Sequence, residues 1–216
     1  MGGLFRFDSK LMRFGTKLGY LLWLQLLTVV CALPIITAGA SFTAMHKLLL
    51  EIYRDSESHI TRTFLKCFRE NLGQATALWL IYIGFFSLLA LDYWFSVSSS
   101  VPALRLAVYI LPVLALAGYL SFMWVFPLQS RYENSIWKTI KLSFTLLCFR
   151  PLTTVIMAVL TCIPLVLLML TMYAFPYLVF FGITVPGLLQ TILYSRIFDF
   201  LEGTSWRREK ALEQME

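Results

Sequence analysis

The chain has 216 residues, of which 59% are hydrophobic and 14% charged, with a formal net charge of +6. Soluble domains carry about 25% charged residues, so this composition excludes a soluble globular protein. The basic balance does not point to nucleic acid, because Lys and Arg gather at the ends of apolar runs, where the positive-inside rule puts them.

Four stretches carry no Asp, Glu, Lys, Arg or His: Leu18–Met45, Asn71–Leu91, Leu106–Gln129 and Pro151–Ser195. Apolar runs of about 18 or more residues read as transmembrane helices, because hydrocarbon about 30 Å thick needs about 20 residues rising 1.5 Å each. Barrel strands would alternate apolar and polar residues, whereas these runs are solidly apolar. Helices also satisfy their backbone groups internally, as lipid demands. The expected fold is therefore all-α: a polytopic transmembrane helical bundle forming a single membrane domain over 1–216. The longest polar stretch, roughly Arg54 to Glu70, is too short to bury a core of its own.

In chain order, a basic arm with Arg6, Lys10, Arg13 and Lys17 leads into span 1, about Leu18–Ile36. That apolar segment is too long for the 7–15-residue core of a cleaved signal peptide. A short apolar helix follows at about Gly39–Tyr53, short or re-entrant. Ser58–Asn71 then places Ile60, Phe64 and Phe68 on one face, with Arg62, Lys66 and Arg69 elsewhere, and reads as an amphipathic helix at the inner interface. Spans 3 and 4 run about Leu72–Phe95 and Ala103–Gln129.

A second amphipathic helix, Tyr132–Leu147, lines up Tyr132, Ile136, Ile140, Phe144 and Leu147 opposite Lys138 and Lys141. The long final run divides into spans at about Leu152–Met172 and Pro176–Ser195, since one straight helix would be roughly 68 Å long. Its natural turn is Tyr173–Pro176, because the residue before proline is pushed out of the helical region. The count comes to about six membrane helices plus two amphipathic helices at the cytoplasmic interface.

Charge fixes the expected sidedness. With both termini cytoplasmic in a multi-pass cell-membrane protein, the N-terminal arm, Arg54–Glu70, Ser130–Arg150 and the tail with Arg196, Arg207, Arg208 and Lys210 all fall inside. Of the basic residues only Arg105 falls outside. The outer turns, Pro34–Ala38, Ser96–Pro102 and Tyr173–Pro176, are then almost uncharged. Arg62-Thr63…Phe68 recurs as Lys138-Thr139…Phe144, which suggests a weak tandem repeat of 58–129 and 132–198, although shared amphipathicity explains the match about as well.

Four groups of candidate residues stand out. Asp92 and Arg105 flank the outer hairpin, where they read first as an interfacial ion pair and alternatively as a gate or solute-contact pair. Gln25 and Gln190, with Thr28, Asn71 and Gln74, either line a polar pathway or make interhelical hydrogen bonds. Arg62, Lys66, Arg69, Arg131, Tyr132, Glu133, Asn134, Lys138 and Lys141 form the candidate surface for a cytoplasmic partner. Leu33–Met45, a proline followed by small residues, allows a tight turn and close helix approach.

Cys31, Cys67, Cys148 and Cys162 have no CxxC spacing and imply no disulfide framework. His46 and His59 lack metal-ligand spacing. There is no HExxH, GxSxG or Walker A stretch, so no enzyme activity and no cofactor is expected. No carboxylate lies in mid-span, which weighs against an ion-coupled carrier.

Leu33-Pro34-Ile35-Ile36-Thr37-Ala38-Gly39, the stretch Phe64…Phe68-Arg69-Glu70-Asn71…Gln74-Ala75-Thr76…Leu78-Trp79-Leu80-Ile81, and Arg131-Tyr132-Glu133-Asn134 resemble the YesL-like family of bacterial integral membrane proteins, a family of unknown function. The pattern often has a proline or similar residue where this chain has Ala40. The resemblance implies a location beside carbohydrate-uptake systems, especially ABC sugar importers, and supplies no catalytic residues. The function it implies is a non-catalytic accessory or membrane subunit of such an importer, in contact with its permease or ATPase subunits and with the lipid bilayer. A stand-alone small-solute transporter or channel, and a membrane-bound regulator, are the alternatives.

Overall fold

The computed structural model describes residues 4–56, 59–98, 102–132, 134–170, 180–201 and 203. Glu133, the expected turn Tyr173–Pro176, and Arg207, Arg208 and Lys210 lie outside the described residues, as do the side chains of Arg6, Lys10, Arg13 and Arg105. The regular elements among them are all helical: α1 Leu4–Ala32, a 3-10 turn Ile35–Thr37, α2 Ala38–Tyr53, α3 Ile60–Ser98, α4 Pro102–Arg131, α5 Ile136–Phe149, α6 Pro151–Leu170 and α7 Thr184–Leu201. Four stretches are long and apolar enough to cross a membrane: Gly15–Ala32, Ile35–Tyr53, Ile60–Ser98 and Ala107–Arg131. The bent pair α5–α6 makes up to five. α7, which carries Gln190, Arg196 and Asp199, is not among them.

The short helix is the centre of the bundle. Of the Ile35–Tyr53 stretch 67% is buried, against 17–22% in the other three, so α2 is surrounded by protein rather than lipid. It packs on α1, α3, α4 and α7. Its length of 16 residues therefore need not match the bilayer. Ala38, Gly39, Ala40, Ser41 and Ala44 keep it thin enough for four neighbours to approach. One core of Leu21, Leu24, Leu48, Leu49, Ile60 and Phe64 joins it to α1 and α3. A second, with Leu50, Trp124, Leu128, Met157, Tyr194 and Phe198, joins it to α4, α6 and α7.

The two amphipathic stretches fold differently. The first is no separate helix: it is the lower part of α3, which runs unbroken for 39 residues, about 58 Å. No proline interrupts it, and Ile60, Phe64 and Cys67 are buried along it. The second ends at Arg150, which has φ −133° and ψ 55°, outside the helical region. Pro151 forces that conformation on its predecessor and opens α6. The result is a bend of 106° between α5 and α6. The buried face of α5 is Thr139, Ser143 and Leu146, one position back from the expected stripe, and Phe144 is exposed.

The C-terminal ends of α2, α4 and α7 gather at the basic end of the bundle. Arg54 donates to Asp199 at 2.6 Å in a half-buried ion pair, and Lys17 pairs with Asp55 at 2.5 Å. Replacing Arg54 by Met is expected to cost about 2–4 kcal/mol by stranding the Asp199 carboxylate. Thermal unfolding in detergent checks this, and the Asp199→Asn second change should recover part of the loss.

Candidate functional site

The turn between α1 and α2 is built by side chains. The Thr37 hydroxyl donates to the Cys31 and Pro34 carbonyls, both at 2.9 Å, and the Thr37 N–H donates to the Pro34 carbonyl at 2.8 Å. Two residues on, Gly39 lies against α3. A Cβ placed there would stand 2.4 Å from the Ala75 carbonyl oxygen and 2.7 Å from Trp79 Cβ. Helix-to-backbone contact of this kind requires a residue without a side chain. Trp79 then packs with Phe42, Phe122 and Phe126.

Lower on α3 is a polar joint. Gln129 Nε2 donates to Gln74 Oε1 at 2.8 Å and Asn71 Oδ1 at 3.3 Å, while its Oε1 accepts from the Thr139 hydroxyl at 3.2 Å. One amide thus ties α3, α4 and α5 together. Asn71 also donates to the Cys67 carbonyl at 3.0 Å. Elsewhere Tyr82 bonds Ser121 at 3.0 Å, and the Trp124 indole donates to Thr154 at 2.8 Å.

Between α2, α4, α6 and α7 lies a cavity of about 370 Å³. Its polar lining is His46, Thr161 and Gln190, and the aromatic part is Phe42, Phe122 and Phe126. Gln190 Nε2 donates to the Met157 carbonyl at 3.0 Å and the Thr161 hydroxyl at 2.6 Å. Beside His46, the Tyr194 hydroxyl lies 3.4 Å from Nδ1, 3.3 Å from the His46 carbonyl and 2.9 Å from the Thr191 hydroxyl. Among the described residues no three His, Cys, Asp or Glu side chains come together as a metal site.

The structure separates the residues singled out in the sequence. Gln190 lines the cavity. Gln25 does something else: its Oε1 accepts from the backbone N–H groups of Ile183 at 3.2 Å and Thr184 at 3.0 Å, capping α7 from across the bundle. Thr28 donates to the Leu24 carbonyl and its own carbonyl accepts from Ser41, so it too serves packing. Asp92 is exposed on α3, well beyond the α1–α2 turn, and does not line the cavity. Replacing Asp92 by Asn is expected to move unfolding by under about 0.5 kcal/mol and leave transport-linked growth unchanged. A lost growth phenotype would favour the gate.

Of the partner-surface set, Arg62, Lys66, Arg69, Lys138 and Lys141 are exposed, with Lys66 3.9 Å from Glu70. Arg131 and Tyr132 are half-buried, the Tyr132 ring 5.6 Å from Phe198, and Asn134 is buried. These three therefore belong partly to the bundle interior. Sequence reasoning missed Gln129, His46 and Thr161. The available signal for Gln129 was a lone amide closing an uncharged run beside Pro127.

No curated protein and no solved structure matches the chain. Residues 18–93, from the span of α1 to the upper part of α3, match the family described as protein of unknown function, DUF624. YesL-like proteins belong to that family, so the match agrees with the resemblance carried by the stretches around Gly39 and Ala75, which meet in the fold.

Proposed function

We propose that this protein is a non-catalytic, multi-pass component of the bacterial cell membrane that serves carbohydrate uptake as an accessory subunit of an ABC-type importer. Both termini and the basic end face the cytoplasm, where lysine and arginine are retained. The observation that carries the reading is how the polar side chains divide. Inside, Gln25, Gln129, Tyr82 and Trp124 are committed to holding helices together. Outside, Arg62, Lys66, Lys138 and Lys141 are displayed at the basic end, two of them on a helix laid across it. That division suits a scaffold that presents a surface to a partner. The uptake role itself rests on the implied neighbourhood of the YesL-like relatives.

Deleting the protein from its host is expected to slow uptake of one class of carbohydrate with importer transcripts unchanged. Unchanged uptake of every carbohydrate tried would overturn the proposal, and a fall in transcripts would favour a regulator. The cavity supports a second reading, a stand-alone carrier. Its signature is flux of a small solute into liposomes containing this protein alone.

A further inference from the structure

We propose that the cavity between α2, α4, α6 and α7 binds an uncharged, largely apolar molecule carrying a hydroxyl group, drawn from the bilayer. Its volume, about 370 Å³, falls within the range of about 300–1,000 Å³ typical of ligand pockets. Among the described residues the polar lining is His46, Thr161 and Gln190, and no charged side chain contributes. Phe42, Phe122, Phe126 and the flexible Met45 and Met123, with Pro164, Leu165, Ile183 and Pro186, make an apolar wall suited to hydrocarbon of adaptable shape.

Entry is lateral. Leu165 lines the cavity and is also 58% exposed, so the space opens to the surface of the bundle, which lipid covers.

Two lining atoms select the ligand's polar group. His46 and Gln190 are more than nine-tenths buried. His46 engages Tyr194 through Nδ1, and Gln190 spends its amide N–H groups on Met157 and Thr161. Among the described residues His46 Nε2 and Gln190 Oε1 have no hydrogen-bond partner. Both atoms keep accessible surface on residues that line the cavity, so each can meet a bound molecule. Gln190 Oε1 only accepts, so it needs a donor, and a neutral imidazole Nε2 either donates or accepts according to tautomer. A hydroxyl both donates and accepts and satisfies either. A carboxylate would face the Gln190 acceptor oxygen with no cationic side chain among the described lining residues, which is costly in an apolar site. A free sugar would leave most of its hydroxyls unpaired against phenylalanine and methionine.

The test uses the full-length protein in nanodiscs and a photoactivatable long-chain alcohol, with labelled peptides read by mass spectrometry. Labelling is expected to concentrate in 157–165 and 182–190. An unlabelled alcohol of equal length should compete it away, while the fatty acid of that length and glucose should not. The Gln190→Leu variant should bind about five- to tenfold more weakly, the loss of one hydrogen bond to a buried acceptor. Label spread evenly over the lipid-facing helices without competition would overturn the proposal, as would equal competition by the fatty acid or glucose. The wild-type competition decides the matter even if the variant does not fold.

Discussion

Replacing Gly39 by alanine is expected to destabilise the bundle by about 3 kcal/mol, at or beyond the upper end of ordinary overpacking. The added methyl group would sit 2.4 Å from a backbone oxygen, that of Ala75, and 2.7 Å from Trp79 Cβ. A flexible side chain turns aside, but a helix backbone and a Cβ do not. Relief would require α2 to move away from α3, opening the core shared by Leu48, Leu49, Ile60 and Phe64. The control is Gly73→Ala on α3, where the new Cβ meets nothing within 4 Å. There helix propensity favours alanine by up to about 1 kcal/mol. Opposite shifts of the two variants in thermal unfolding are the expected result. A Gly39→Ala protein that melts with the wild type would show that α2 and α3 do not touch at this point.

Gln129→Leu is expected to cost about 2–4 kcal/mol. Interhelical hydrogen bonds in membrane proteins are individually modest, about 0.6–2 kcal/mol. Here one side chain makes three of them, to Gln74, Asn71 and Thr139. Its removal also leaves Gln74 Oε1 and the Thr139 hydroxyl to find new partners. The effect should be local as well as global. α5 rests on α4 through Thr139, Ser143 and Leu146, so hydrogen exchange should accelerate over 136–149 and stay slow over 38–53. Equal protection of α5 in the variant and the wild type would mean that the apolar contacts alone hold it.

Some of this was legible from the residues. Uncharged runs mark the helices, because lipid admits little else, and the stripe Ile60–Phe64–Phe68 faces the core as its spacing implies. The small residues after Pro34 signal close approach, and Gly39 confirms it. Other features were hidden for identifiable reasons. Amphipathicity at 58–71 reads the same whether the helix lies flat or continues into the next span; the deciding residue is a proline, absent before Leu72 and present at Pro151. Burial of α2 was concealed by its composition, since an apolar helix reads alike against lipid and against protein. Gln25 and Gln190 are chemically identical in sequence, yet one caps a helix and the other lines a cavity, a distinction set by neighbours on other helices, 158 and 159 residues away for Gln25 and 29 and 33 for Gln190. The candidate site is less legible than the fold for the same reason: its lining comes from four helices.

The most direct measurement is affinity purification of the tagged protein from native membranes in mild detergent, with mass spectrometry of what accompanies it. The account predicts near-stoichiometric permease or ATPase subunits of a carbohydrate importer, lost when Arg62, Lys66, Lys138 and Lys141 are changed together to Gln while the protein stays monodisperse. A protein that purifies alone, with those charges intact, would contradict it.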